Sequence, residues 1–218
     1  MKKALIFRGG WDGHEPVETS EIVAAELRKR GLEVDIFDDQ DCLLNKNLAD
    51  TYSVIIPVWT MGEISDDAEK ALLNAVSGGV GIAGWHGGMC DAFRTHTEYQ
   101  FMTGGQWVAH PGGVIDYKVN ITSDDPIVKG IEDFEYRSEQ YYMHVDPGNE
   151  VLATTSFNGD ICPWINGTVM PVAWKRKYGQ GKVFYCSLGH VAEEFKKYPQ
   201  FLEIRSSYRN THRNIGLV

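Results

Sequence analysis

Two apolar patterns alternate along the first part of the chain. Runs of consecutive apolar residues, typical of strands buried on both faces, occupy residues 3–7, 32–37, 53–59 and 80–85. Between them, apolar residues recurring every three or four positions predict two helices. One covers 17–30, with Pro16 in its first turn and Gly31 at its end, and Ser65 caps the other, which Gly78 ends. This order predicts a parallel, doubly wound α/β sheet.

The second half of the chain has a different pattern. Short strands separated by turn residues are predicted over 113–122, 140–145, 151–155, 170–175 and 182–187. Gly179, Gln180 and Gly181 predict a tight hairpin before the last of them. These strands are expected to extend the parallel sheet with antiparallel pairs. No linker or repeat interrupts residues 1–203, so they are expected to form a single domain.

The composition is that of an acidic globular protein. The 218 residues carry a formal charge of −9 without a basic cluster, which argues against nucleic acid or an anionic membrane as partner. The four cysteines form no C-x-x-C pair, and the sequence contains neither a secretory signal nor an apolar run of transmembrane length. Free thiols in the cytoplasm are therefore expected. A phosphate-binding loop motif is also lacking, so no nucleotide cofactor is expected.

Histidines are concentrated where a site would form in such a sheet. Ligands bind outside the carboxyl ends of parallel strands, and residues 9–14, 59–63 and 85–88 fall at that edge. Imidazole acts as an acid, a base or a metal ligand near neutral pH. A single histidine in such a place could equally be a satisfied turn or core residue. The case for a site is that five of them lie beside glycine, proline or a strand end: His14, His86, His110, His144 and His190.

The segment GIAGWHGG, residues 81–88, has the form of a nucleophile elbow, in which small residues expose Ser or Cys on a sharp turn. Gly84, Gly87 and Gly88 are the small residues, but His86 occupies the position of the nucleophile. Cys90 falls in the helix predicted to follow, where a buried, unreactive thiol is expected. This argues against a covalent acyl-enzyme. The glycines would instead let a ligand approach backbone N–H groups at the start of the helix.

Two later segments add aromatic and acidic candidates. In GGQWVAHPGG, which contains His110, Trp107 could stack on a sugar ring or pack on the domain. In SEQYYMH, Glu139 and His144 would lie on opposite faces of a regular strand. Both can therefore be ligands only if one of them lies at a bulge or at a strand end.

The segment SLGHVAEEF closes the last predicted strand. His190 follows that strand directly, and Glu193 and Glu194 are expected on the exposed face of a helix. Histidine and glutamate together allow a zinc or manganese site, although the H-E-x-x-H spacing does not occur.

Five motifs in this order resemble the trehalose-utilisation (ThuA-like) family, which has the class I glutamine amidotransferase-like, flavodoxin-related fold. They are RGGWDGHEP, GIAGWHGG, GGQWVAHPGG, SEQYYMH and PVAWKRKYGQGKVFYCSLGH, and they cover residues 1–203. In the amidotransferases the catalytic Cys stands at the position of His86 and the catalytic His near His190. The resemblance therefore implies the fold without glutaminase chemistry.

The resemblance also implies a bacterial protein of carbohydrate metabolism. Its ligand would be a disaccharide of the trehalose type or a 3-keto derivative, and a sugar dehydrogenase of the same pathway would be a partner. Some members resemble metal binders. Family members usually close with an apolar helix, whereas residues 204–218 here form a polar tail, expected to be disordered or to bind a neighbouring subunit of a homo-oligomer.

The leading hypothesis is an enzyme with a polar pocket at the carboxyl edge of the sheet. His86, Glu139 and His190 are the predicted catalytic residues, with an imidazole or Glu139 moving a proton. His86, His110 and His190 are the predicted ligands of a divalent metal, zinc or manganese, which would polarise a carbonyl instead. The predicted substrate-binding residues are His14, Trp85, Gly87, Gly88, Trp107, His110 and Tyr141.

Two other hypotheses stay open at this point. A non-catalytic sugar-binding or regulatory module fits the tryptophans, the glycine-rich loops and the missing nucleophile. An amidotransferase would need Cys90 as its nucleophile and is disfavoured for the reason given above.

Overall fold

The structure, a computed structural model, describes residues 3–200 and consists of one large sheet, one small sheet and flanking helices. The strands are β1 (Lys3–Gly10), β2 (Val34–Phe37), β3 (Tyr52–Thr60), β4 (Gly81–Trp85), β5 (Gly105–Ala109), β6 (Val114–Ile121), β7 (Phe134–Glu139), β8 (Tyr142–Val145), β9 (Glu150–Ser156), β10 (Val169–Tyr178) and β11 (Gly181–Cys186). The helices are α1 (Pro16–Lys29), α2 (Leu48–Thr51), α3 (Asp66–Ser77), α4 (Gly87–Cys90), α5 (Thr97–Thr103) and α6 (Ala192–Lys197). The predicted polar tail, 204–218, lies outside the described residues.

The parallel half of the large sheet is confirmed. The nine strands follow the order β2-β1-β3-β4-β11-β10-β9-β6-β7. Strands β2, β1, β3, β4 and β11 pair in parallel, and the remaining pairs are antiparallel. Because the parallel strands are covered on both faces, consecutive residues such as Ile6 and Phe7 are both fully buried, on opposite sides of the sheet.

Helices cover the two faces of the parallel half. Helix α1 buries Val23, Ala24 and Leu27 against one face, and α3 packs against the other, with Ser65 capping its first turn through the N–H of Ala68. None of the helices within residues 3–200 is long and apolar enough to span a membrane.

The antiparallel half differs from the prediction in two places. Strands β5 and β7 were not predicted, and the strand predicted over 140–145 begins only at Tyr142. The chain leaves the large sheet at the end of β7 and joins β5 in the two-stranded sheet through β8. Glu139 therefore lies at a strand end, which is one of the two positions, bulge or strand end, that were expected for a ligand in this segment.

The carboxyl ends of the parallel strands gather the loops that carry the histidines. Strands β1, β3, β4 and β11 end at Gly10, Thr60, Trp85 and Cys186. The loop after β1 contains His14, that after β4 begins at His86, and that after β11 contains His190. The sheet topology thus brings residues far apart in sequence to one edge.

Candidate active site

Glu139 lies among four histidines. Its Oε2 is 3.2 Å from Nε2 of His86 and 4.0 Å from Nε2 of His14. Its Oε1 is 3.7 Å from Nε2 of His110 and 3.8 Å from Nε2 of His190. The carboxylate side chain is 11% exposed. The residues predicted to share a pocket therefore do meet, and they surround a single carboxylate.

The turn that carries His86 has the geometry of an elbow. His86 precedes α4 with φ 45° and ψ −138°, a conformation that costs a non-glycine residue about 1–3 kcal/mol. Its N–H donates to the carbonyl of Cys186 at 2.8 Å, and the hydroxyl of Tyr185 donates to its carbonyl at 2.9 Å. A Cβ on Gly84 would lie 2.4 Å from Met89, so only glycine lets the turn close. The strained backbone is thus held by the neighbouring strand β11.

The ring of His86 is oriented by two contacts. Nδ1 lies 2.8 Å from the carbonyl oxygen of Ser187, and because a carbonyl only accepts, Nδ1 carries a proton. The other ring nitrogen, Nε2, therefore directs its lone pair towards Oε2 of Glu139. A carboxylate repels a bare nitrogen lone pair, so a cation, either a proton or a metal ion, belongs between these atoms. Tyr141 stacks on the ring at a centroid distance of 4.1 Å.

His14 is held in the same way from the other side. Its Nδ1 lies 2.8 Å from the hydroxyl of Thr60, which leaves Nε2 towards Glu139. The ring fills the space beside Gly87, where a Cβ would lie 2.5 Å from two of its atoms. Gly87 and Gly88 were predicted to admit a ligand to the backbone. The structure instead shows Gly87 packed against His14, and Gly88 close to the backbone of β3.

His190 depends on a buried glutamate. Oε2 of Glu194 accepts the backbone N–H of His190 at 2.9 Å and the hydroxyl of Tyr136 at 2.6 Å. The hydroxyl of Tyr136 in turn accepts the N–H of Gly189. Glu194 is 7% exposed, so its expected place on the exposed face of a helix is wrong, whereas Glu193 is exposed. The carboxylate is buried because the loop after β11 needs an acceptor there.

Burial shifts the ionisation of the cluster. Burial, reinforced by His86 and His190, lowers the pKa of His14 from 6.5 to about 3. Burial, with His86, also lowers the pKa of His190. For Glu139, burial acts to raise the pKa, but the hydrogen bond from His86 and the fields of His86 and His190 outweigh it and lower the pKa to about 2. At neutral pH the cluster is therefore an ionised carboxylate facing neutral His14 and His190.

Within residues 3–200, positive φ at non-glycine residues is confined to the loops at this edge. Among the described residues, the non-glycine residues with positive φ are Glu15, Met61, His86 and Phe93. Glu15 follows His14, Met61 follows Thr60, and Phe93 donates its N–H to the carbonyl of Met61. Such strain persists where surrounding contacts fix the backbone, which is typical of functional sites.

Four side chains of the cluster can hold a metal ion. One donor atom each from His14, His86, Glu139 and His190 lies within 4.8 Å of the others. The predicted ligand His110 is not part of this group, which contains His14 and Glu139 instead; Nε2 of His110 lies 3.7 Å from Oε1 of Glu139, and its side chain is 37% exposed. A metal-binding imidazole almost always donates its other N–H to a carboxylate, a backbone carbonyl or water. His86 does so to the carbonyl of Ser187, and Nδ1 of His14 faces the hydroxyl of Thr60. The donor set thus fits a divalent metal.

Other predicted residues lie around the cluster or away from it. Tyr141 is 3% exposed and supports the ring of His86. Trp107 is half-buried beside His110, and the guanidinium of Arg94 covers its ring at 4.7 Å. Trp85 does not reach the cluster, because its side chain points into the core against Phe195 and is 2% exposed.

Cys90 is buried in α4, as expected, and burial raises the pKa of its thiol well above the usual value. His144 is exposed on β8 and takes no part in the cluster.

Sequence reasoning missed three contributors. Thr60 and the carbonyl of Ser187 orient the histidines, and both follow from the pairing of strands, which no local motif reveals. Trp11, within the motif RGGWDGHEP, contacts the ring of His14 at a centroid distance of 4.8 Å and is 48% exposed. Its position beside His14 in the sequence was the available signal.

Known proteins resemble this chain in sequence family and in fold. The family model for trehalose utilisation, ThuA, matches residues 3–206. A ThuA-like protein from Bacteroides uniformis is 22% identical, with a TM-score of 0.75 over 95% of this chain and 90% of that one. The cytoplasmic protein STM1381 from Salmonella typhimurium LT2 is 14% identical, with a TM-score of 0.64 over 96% and 98%.

A β-galactosidase from Bacillus circulans is 15% identical, with a TM-score of 0.61 over 94% of this chain but 30% of that one. A search of curated proteins finds no match. At these identities the likeness is one of fold, and it confirms the predicted flavodoxin-like, amidotransferase-like class.

Proposed function

The chain belongs to the trehalose utilisation (ThuA) family, and we propose that it is a metal-assisted enzyme acting on a disaccharide of the trehalose type or its 3-keto derivative. Family membership indicates a role in carbohydrate metabolism. The observation that carries the finer proposal is the set of donor atoms from three histidines and one carboxylate within 4.8 Å, with two of the rings oriented from behind.

Position and exposure support one residue of the cluster for the transfer of a proton. A carboxylate with a pKa of about 2 is a weak base and is not an acid near neutral pH, so Glu139 serves as an anchor or ligand. His14 is committed to Thr60 and is neutral. His110 lies outside the donor set, 3.7 Å from Glu139, and is the most exposed of the four histidines around it. We assign the proton transfer to His110.

His14, His86, Glu139 and His190 would hold the metal. The preponderance of imidazole favours zinc over manganese. A bound divalent ion supplies Lewis acidity towards a carbonyl or glycosidic oxygen and lowers the pKa of a bound water. The protein contributes the fixed ring orientations, the burial that excludes water from His86, and the exposed imidazole of His110.

The test compares turnover of trehalose and of 3-keto-trehalose by wild-type, His110→Ala and His144→Ala proteins. His144 is the matched control, because it is an exposed histidine on the neighbouring strand. We expect His110→Ala to lower kcat by about 10²–10⁴-fold, the usual value of general acid–base catalysis, while retaining bound metal. His144→Ala should match the wild type. Lack of turnover by the wild type with added zinc or manganese would refute the enzymatic proposal.

A sugar-binding module is the second candidate. It is favoured by the match of this fold to 30% of a larger β-galactosidase chain, where the fold is one part of a longer protein. Calorimetry separates the two proposals, because saturable binding of trehalose without any turnover would support the module. Amidotransferase chemistry is disfavoured, since the thiol of Cys90 is buried and the elbow carries an imidazole.

The proposal extends to the location of the protein and to its partner. The unpaired cysteines and the likeness to a Salmonella protein described as cytoplasmic support a cytoplasmic location. A sugar dehydrogenase that forms the keto sugar is the proposed pathway partner.

A further inference from the structure

Trp11 is exposed beside the donor cluster, in a segment held by hydrogen bonds. Its indole ring meets the ring of His14 at 4.8 Å with an interplanar angle of 74°, and 48% of the residue is exposed. Single exposed apolar residues are common on protein surfaces and need no function. Trp11 differs from them because it contacts a member of the donor set.

The segment that carries Trp11 is fixed at several points. The N–H of Trp11 donates to the carbonyl of Thr60 at 3.1 Å, and the side chain of Thr60 also contacts His14. The N–H of Glu15 donates to Asp12, and the carboxylate of Glu15 accepts the N–H of Ala192 at 2.8 Å. The backbone that carries the indole is therefore anchored to β3 and, through Glu15, to α6.

Because Gly13 has no side chain, the indole of Trp11 can lie over the turn that contains both residues. A Cβ on Gly13 would lie 2.3 Å from the ring of Trp11, so the ring rests directly on the backbone of that residue. This contact covers part of the indole, and 48% of the residue stays exposed. A rigid aromatic face of this kind binds a ligand with little loss of conformational entropy.

The remaining tryptophans do not offer a comparable surface at the cluster. The guanidinium of Arg94 lies over the ring of Trp107, and Trp85 and Trp174 are almost fully buried. Trp59 is half-buried, with its ring against Phe93 and the backbone of Gly9. Trp164 is 81% exposed but makes no ring contact with a cluster histidine among the described residues. Trp11 is thus the indole that a ligand at the cluster would meet.

We propose that Trp11 is the platform on which a pyranose ring of the substrate stacks. A pyranose presents an apolar face of C–H groups and a rim of hydroxyls, and the apolar face matches the open indole while the hydroxyls reach the polar cluster. This inference rests on the proposed function and assigns a specificity residue to it. It requires a cyclic sugar, because an open-chain polyol has no such face.

Calorimetry on the full chain tests the proposal with trehalose and sorbitol as probes. The variants are Trp11→Ala and Trp11→Phe, with Trp164→Ala as the control for loss of an exposed indole. We expect Trp11→Ala to weaken trehalose binding by about tenfold, the size of one aromatic contact, and Trp11→Phe to weaken it less. Trp164→Ala should bind trehalose with the affinity of the wild type. None of the proteins should bind sorbitol.

The outcomes separate this inference from the proposed function. Wild-type binding of trehalose that Trp11→Ala leaves unchanged would overturn the role of Trp11 and leave the proposed function standing. A wild type that binds neither trehalose nor 3-keto-trehalose, or that binds adenosine as a flat aromatic probe instead, would overturn both. Metal content gives a further check, because Trp11→Ala should retain the metal of the wild type.

Discussion

Replacing Gly87 with alanine would place a methyl group against the ring of His14. The new Cβ would lie 2.5 Å from both Cε1 and Nδ1 of that ring and 3.0 Å from the hydroxyl of Thr60. Ordinary contacts of this kind are about 3.5–4.0 Å, so the ring must withdraw by roughly 1 Å. Gly87 has no positive φ, so the effect comes from the contact and not from backbone strain.

The size of the effect follows from what the ring loses. Overpacking of a buried site costs about 1–3 kcal/mol, which lowers Tm by roughly 2–4 °C per kcal/mol in a chain of this length. Displacement also breaks the 2.8 Å contact between His14 and Thr60. Loss of such an orienting partner typically weakens metal binding by about 10–100-fold.

The assay is zinc titration of metal-free protein, with Tm measured in parallel. Gly81→Ala is the matched control, because a Cβ there meets its nearest atom, the carbonyl oxygen of Ser53, at 3.5 Å. Zinc affinity of Gly87→Ala equal to that of the wild type would refute the placement of His14 in the donor set. An equal loss in Gly81→Ala would show that the effect is not specific to the contact.

Three further outcomes are expected. Glu194→Ala leaves the hydroxyl of Tyr136 without its acceptor and should lower the free energy of unfolding by about 2–4 kcal/mol in urea, with partial rescue by Glu194→Gln; an unchanged midpoint would contradict the anchoring role. Metal-free protein should lose stability on acidification, by up to about 1.4 kcal/mol per pH unit for each group. The pKa of His14 falls from 6.5 to about 3 and that of Glu139 from 4.5 to about 2, so the unfolded chain takes up protons first, between pH 6.5 and 3 for His14 and between 4.5 and 2 for Glu139. Urea midpoints measured from pH 7.5 to 4 test this. A His14→Gln variant whose stability falls with pH as steeply as that of the wild type above pH 4.5 would contradict it. Cys90→Ala should leave sugar turnover unchanged, and glutaminase activity that depends on this thiol would contradict the exclusion of amidotransferase chemistry.

The parallel half of the fold was predictable because its strands are buried on both faces. Runs such as residues 53–59 carry that signal without help from the rest of the chain. Strand β7 was missed although its sequence alternates, with Phe134 and Tyr136 buried and Glu135 and Arg137 exposed. The strand was instead predicted to begin after it, at residues 140 and 141, which lie in the break between β7 and β8. Local patterns identify strands but do not show where a chain changes sheets.

The site was predictable only as far as strand ends define it. His86, His190 and Glu139 were placed together correctly because each follows or ends a strand. The group of four donor residues could not be derived, since His14 and His110 both follow strands and the sequence does not show which of them lies close to both His86 and His190.

Trp85 was misplaced for a related reason. It precedes His86 in the sequence, but its side chain belongs to the core cluster that contains Phe195. The burial of Glu194 was equally hidden, because its partners Tyr136 and His190 are brought to it by the sheet and not by the helix that carries it.

Metal stoichiometry of untagged protein tests the central claim most directly. Wild-type protein loaded with zinc and dialysed should retain one equivalent per chain, measured by elemental analysis. His14→Ala should lose that ion and His110→Ala should keep it, because His14 and not His110 lies in the donor set. Retention by His14→Ala with loss from His110→Ala, or no bound metal in the wild type, would contradict the account.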